Sequence, residues 1–212
     1  MVPTLLVGDY LFASKYPYGY THYSLPFSPK VFQGRIFDTP PKRGDVVLFR
    51  PPHQTNEDWV KRLVGLPGDR IQVKKSVVYI NGKPLKRKKL GTYDWRDQFG
   101  HAYHSVVYEE SMPSGLKYKV LQDTEDGTSG NDNTPEYIVP AGHYFVMGDN
   151  RNHSSDSRVI SFLGFVPHEN LIGRGELIFF STEVPTFTDA SWWHVWKWPF
   201  MTRFSRFLNL IR

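Results

Sequence analysis

Between residues 41 and 82 the chain repeats one pattern, a short apolar run closed by a tight turn. Val46-Val47-Leu48-Phe49 follows the turn Pro41-Lys42-Arg43-Gly44-Asp45. Trp59 to Val64 is stopped by Gly65-Leu66-Pro67-Gly68-Asp69. Ile71-Gln72-Val73 alternates with period two, and Val77-Val78-Tyr79-Ile80 runs into Asn81-Gly82. Such runs are too short for a helix, which needs about 10–12 residues, and suit buried strands. Asn-Gly takes positive φ at both central positions of a type I′ turn, so 77–82 is the strongest hairpin signal in the chain.

The same grammar extends outward. Leu5 to Phe12 reads as a strand broken by Gly8-Asp9; Tyr144-Phe145-Val146-Met147 and Leu177-Ile178-Phe179-Phe180 read as buried strands. Lys86-Arg87-Lys88-Lys89 is a basic run, expected as a solvated loop or a charge-protected edge strand. Residues 91 to 139 are polar, with Asp123 to Thr134 rich in Asp, Gly, Ser, Thr and Asn. They are expected to form an insert with a few strands and a long loop. The fold class is therefore mostly β, with about ten short strands. The expected division is a discontinuous core (1–90 and 140–182), an inserted β domain (91–139) and a C-terminal tail (183–212). The 212 residues are enough for that arrangement.

Absences narrow the function. The chain has no Cys, which excludes a disulfide framework, a thiolate metal site and a cysteine nucleophile. Net charge is +5, but there is no helix-turn-helix pattern and no zinc-knuckle spacing, so no nucleic-acid partner is expected. No run approaches the ~18–20 apolar residues of a spanning helix, and no export signal opens the chain. The tail interleaves Trp192, Trp193, Trp196, Trp198, Phe200, Phe204 and Phe207 with Lys197, Arg203, Arg206 and Arg212. That pattern suits a membrane surface, and it equally suits a segment capping the domain.

Without Cys, a nucleophile must be Ser or Thr, activated by an unprotonated base. His153-Ser154-Ser155-Asp156-Ser157 holds all three triad residue types, but neighbours on a tight turn do not meet in triad geometry. The remaining histidines show no metal-ligand spacing. A lysine can replace histidine as base if desolvation makes it neutral near pH 7. Lys61 is the best candidate. In a strand it shares one face with Trp59 and Leu63, while Arg62 points the other way. The competing reading is a strand-edge lysine reaching water along its stem.

Four blocks resemble bacterial type I signal peptidases. Lys61-Arg62-Leu63-Val64-Gly65-Leu66-Pro67-Gly68-Asp69 is similar to the family's lysine signature. Gly148-Asp149-Asn150-Arg151-Asn152-His153-Ser154-Ser155-Asp156-Ser157-Arg158, continued by Gly164-Phe165-Val166-Pro167, is similar to its second signature. Met1 to Asp9 resembles the segment following the family's serine, and Lys42 to Val47 the block between. The blocks keep the family order.

The resemblance implies a β catalytic core, shared with self-cleaving repressors, carrying a smaller inserted β domain. Lys61 would be the general base of a Ser/Lys dyad, with Ser154 holding its amine. Arg62 would pair with Asp149, and Asp156 with Arg158. Met1, Leu5, Trp59 and Val60 would line pockets for an Ala-X-Ala cleavage site, and the residues before Lys61 would pair with substrate as an added strand. The implied reaction is hydrolysis of signal peptides from secretory preproteins at the outer face of the bacterial inner membrane, with no metal and no cofactor. The family's nucleophile comes just before the residue matching Met1, in a Ser-Gly-Ser-Met segment, so the chain as written is expected to be inactive alone. Either the true start lies upstream, or the chain is a truncated relative that binds peptides without cutting them.

Overall fold

The computed structural model describes residues 1–25, 34–53, 57–97, 100–123, 128–183 and 202–211. These contain fourteen strands and only short 3-10 turns, so the fold is mostly β. In chain order the strands are β1 (Asp9–Ser14), β2 (Val46–Phe49), β3 (Trp59–Gly65), β4 (Arg70–Lys74), β5 (Val77–Ile80), β6 (Lys83–Pro84) and β7 (Lys86–Arg96). They continue as β8 (Ala102–Ser111), β9 (Lys117–Gln122), β10 (Tyr137–Ile138), β11 (His143–Met147), β12 (Val166–Pro167), β13 (Leu171–Ser181) and β14 (Asn209–Leu210).

The largest sheet runs β1-β13-β2-β3-β11-β12, with β14 added to β13. A second sheet has the order β10-β4-β5-β6, and a third β7-β8-β9. β2 is an apolar run, and together with β3 it sends side chains to both faces of the large sheet. Val47, Phe49 and Leu63 enter one cluster with Tyr144, Val146, Leu163 and Leu171. Val46 enters another with Leu5 and Ile178, against which Met1 and Val60 pack. This is the alternation that period two requires.

A third cluster joins the sheets. Val64, Phe145 and Met147 from β3 and β11 meet Ile71, Val73, Val78 and Ile80 of the second sheet and Tyr118 and Val120 of the third. Phe145 is completely buried, which contributes about 1.5–3 kcal/mol over an exposed side chain.

Two turns set the second sheet. Asn81 and Gly82 have φ of 51° and 76°, the type I′ geometry their identities favour, and they join β5 to β6. The turn from β4 to β5 uses Lys75 and Ser76 at φ of 45° and 64°, which neither residue favours. Hydrogen bonds hold it there: the Lys75 amide donates to Asn133 Oδ1 at 3.0 Å and the Ser76 amide to the Asp132 carbonyl at 2.9 Å.

The inserted sheet occupies Lys86–Gln122, so it begins inside the basic run. Tyr137 and Ile138, at the end of the polar stretch, pair with Ile71 and Arg70 and belong to the second sheet. β13 is longer than its apolar run, because its first half pairs with β2 and its second with β1.

Candidate active site

Lys61 lies mid-strand on β3, opposite Val47 of β2. On the other side of β3, pairing with β11 ends at Met147 opposite Arg62. Among the described residues, Trp59 to Lys61 are therefore paired to β2 alone. The chain leaves β11 through Gly148 and folds back as the loop 148–158.

That loop is fixed at several points. The Val146 amide donates to Ser157 Oγ at 3.0 Å, the Ser157 amide to the Val146 carbonyl at 3.1 Å, and the Gly148 amide to Asp156 Oδ2 at 3.0 Å. Arg158 reaches both oxygens of Asp156 at 2.9 Å. Both side chains are buried. Burial works against the Asp156 charge, but Arg158 and the Gly148 amide outweigh it and hold the carboxyl below its ordinary value. Gly148 is needed for space: a Cβ there would stand 2.2 Å from Ser154 Oγ.

The turn delivers Ser154, nearly buried, to the lysine. Lys61 Nζ donates to Ser154 Oγ at 2.9 Å. The amine also lies 5.7 Å from the Trp59 ring centre. Burial lowers the Lys61 pKa below the ordinary lysine value; Asp156 opposes the shift and Arg158 adds to it. A lysine so placed can lose its proton more readily than one in water, as a general base must.

Arg62, the next residue, turns to the opposite face and is completely buried. Its Nε and Nη2 reach the two oxygens of Asp149 at 2.8 Å each, and Nη1 donates to the Gly44 carbonyl at 2.8 Å. Burial opposes the guanidinium charge, but Asp149 wins and raises its pKa. Met1, Leu5 and Val60 pack together on this face, while Trp59 packs with the Leu63 cluster. The α-amino group of Met1 is lowered to about 6, first by burial and then by the charge of Lys61.

Sequence reasoning missed several neighbours. Thr4 donates its hydroxyl to Asp149. The Tyr118 ring centre lies 4.2 Å from the Arg62 guanidinium. Arg151 of the loop forms a buried pair with Glu110 of β8. No spacing in the chain marks Glu110 or Tyr118, because both come from the inserted sheet. Among the described residues, no group of three or more His, Asp or Glu could hold a metal ion, and no helix is long and apolar enough to cross a membrane. Two surface clefts, around Arg35, His143 and His168 and around His53, Ile160 and Phe165, contain neither Lys61 nor Ser154.

Residues 1–180 match the family model described as signal peptidase, peptidase S26. The chain belongs to the signal peptidase family. It is 44% identical to signal peptidase I of Rickettsia typhi over 201 residues, covering 91% of this chain and 71% of that protein. It is 43% identical to signal peptidase I of Rickettsia akari over 204 residues, covering 91% and 70%. A solved signal peptidase I from Enterococcus faecalis aligns with 64% of this chain and 97% of its own at 26% identity, with a TM-score of 0.37. Signal peptidase I function, peptide hydrolysis that removes signal peptides, is thus the activity of the family to which this chain belongs.

In this chain the described tail residues lie against β1 and β13. Arg206 and Arg203 pair with Asp9, and the Phe207 ring packs 5.6 Å from Phe180 and 5.5 Å from Phe204. Phe204, Leu208 and Leu210 remain exposed. Trp192, Trp193, Lys197, Trp196, Trp198, Phe200 and Arg212 lie outside the described residues.

Proposed function

We propose that this chain carries the base half of a Ser/Lys endopeptidase that cuts preproteins after Ala-X-Ala sites. One observation carries the reading: a half-buried lysine amine, lowered in pKa, held 2.9 Å from the hydroxyl of Ser154. Neutral Lys61 takes the proton of a serine hydroxyl as that oxygen attacks the scissile carbonyl, and later hands it to the leaving amine. Ser154 accepts a hydrogen bond from the amine and keeps it aimed. The attacking serine comes from a segment joined ahead of Met1. Met1 packs with Leu5 and Val60 beside β3, which supports entry of that segment near the base.

Substrate enters as a strand beside Trp59–Lys61, where β3 has β2 on one side only. Backbone pairing there supplies affinity, and Met1, Leu5, Trp59 and Val60 limit the side chains admitted. The partners are signal peptides at the outer face of the bacterial inner membrane, with the aromatic and basic tail against the lipid surface and no nucleic acid or cofactor. The test is a cleavage assay on a peptide ending in Ala-X-Ala, using this chain, the chain extended upstream by Ser-Gly-Ser, and the extended chain with Lys61→Ala. Cutting by the extended chain alone supports the dyad. Binding without cutting by all three would favour a peptide-binding module.

A further inference from the structure

The inserted sheet does more than lean on the core. β9 is laced into the Ser154 loop: the Leu121 amide donates to the Asp149 carbonyl at 2.8 Å, and the Arg151 amide donates back to the Leu121 carbonyl at 2.9 Å. One residue pair further, the Asp123 amide donates to Asn152 Oδ1 at 2.8 Å. Then comes a side-chain chain with no place in the chemistry above. Trp95 Nε1 donates to the buried Ser105 hydroxyl at 2.7 Å, Ser105 donates to Asp123 Oδ1, and His153 Nε2 pairs with Asp123 Oδ2. The His153 ring sits edge-on to Tyr103, centroids 4.4 Å apart, and to Trp95 at 5.2 Å; Trp95 and Tyr103 stack at 4.5 Å.

His153 is therefore gripped on its carboxylate side and its ring edge by residues of β7, β8 and the end of β9. It is also the residue immediately before Ser154. Holding its side chain restrains the backbone at residue 153, to which Ser154 is joined through one planar peptide unit. We propose that His153 is a positioning residue: through Asp123 and the Trp95–Tyr103 stack, the inserted sheet sets where Ser154 holds the Lys61 amine. The inference rests on the dyad reading for its catalytic meaning, but its geometry can be read without turnover.

The experiment labels lysine side chains with 13C in the full chain and follows the Lys61 resonance by NMR in His153→Ala, His153→Gln and Asp123→Asn. Glutamine keeps an N–H where His153 Nε2 stands. The Lys61 resonance should move in His153→Ala and Asp123→Asn and return toward its parent position in His153→Gln, while Lys74 stays unmoved. With Ser-Gly-Ser joined upstream, kcat should fall about tenfold in His153→Ala with KM within about twofold, and recover in the glutamine variant. If Lys61 is unmoved in His153→Ala, or glutamine is no better than alanine, the proposal is overturned. Should His153→Ala fail to fold, Asp123→Asn interrupts the same contact from the other side and decides the matter. If the resonances respond as expected but the extended parent does not cut, the dyad chemistry falls and the positioning role stands.

Discussion

Arg62 and Asp149 face each other across the buried side of β3, with both oxygens of the carboxylate 2.8 Å from guanidinium nitrogens. The pair stands one residue from Lys61 and at the start of the loop that carries Ser154. It ties the base strand to the supporting loop.

Removing one partner leaves the other charged and buried. Asp149→Ala should cost about 3–5 kcal/mol in chemical denaturation. Replacing both partners with apolar residues, as in Arg62→Met with Asp149→Leu, should cost clearly less, because no charge is then stranded. A double variant as unstable as the single one would show that the pair is not the source of the loss.

Lys61 should make the protein less stable than an apolar residue would at neutral pH. Its folded pKa lies below the ordinary value, so the unfolded chain binds the proton over a pH interval in which the folded chain does not. Stability therefore rises with pH across that interval. Lys61→Met should melt higher at pH 7; a rise of about 2–4 °C corresponds to ~1 kcal/mol in a chain of this size. The gap between the two proteins should narrow as pH climbs toward ~10.4, the free-lysine value. Calorimetry at three pH values checks both parts.

Gly148→Ala tests the space beneath Ser154. The new methyl would lie 2.2 Å from Oγ and 2.5 Å from Cβ of Ser154, so the serine must shift. Cleavage by the Ser-Gly-Ser-extended chain should fall at least as far as in Ser154→Ala, for which a loss of about 10- to 100-fold in kcat is expected with KM little changed. Equal activity of Gly148→Ala and parent would remove Ser154 from the mechanism.

Asp9 anchors the C-terminal segment. Burial works against its charge, but Arg206, Ser181 and the Leu6 amide hold its carboxyl below the ordinary value. That stabilisation is full above the ordinary carboxylate pKa and is lost as pH falls through the lowered one. Asp9→Asn should release residues 202–211 at neutral pH, and the parent should release them only in acid. Hydrogen exchange at the Leu208 and Ile211 amides, bonded to the Ile178 and Glu176 carbonyls at 2.8 Å, reads the release directly.

How legible was this in the sequence? Residues 77–82 announced their hairpin because an apolar run met Asn-Gly, a turn whose geometry is a property of those two residues alone. The turn at Lys75-Ser76 gave no such sign. It is imposed by Asp132 and Asn133, more than fifty residues away, and local preference carries no information about such partners. Lys61 stood out as a charge within an apolar strand, and its proximity to Ser154 came from recognising two signatures rather than from spacing. Glu110, Tyr118 and the Trp95–Ser105–Asp123–His153 chain were invisible. All but His153, which belongs to the loop itself, lie in a stretch that reads as polar insert, and only the third sheet's placement brings them to the loop.

The backbone exchange between Leu121 and residues 149 and 151 has a consequence for how such proteins can vary. It uses an amide and a carbonyl, which every residue except proline can offer, so it asks nothing of the side chain at that position. The exchange is therefore indifferent to the side chain at 121, although the buried Glu110, Tyr118 and Val120 around it are not free to vary, and a one-residue insertion within β9 ahead of Leu121 would present the wrong groups to the loop. Chimaeras that exchange this sheet between relatives should tolerate divergence at exposed positions such as Lys88 and Lys119 and fail on a change of length within β9.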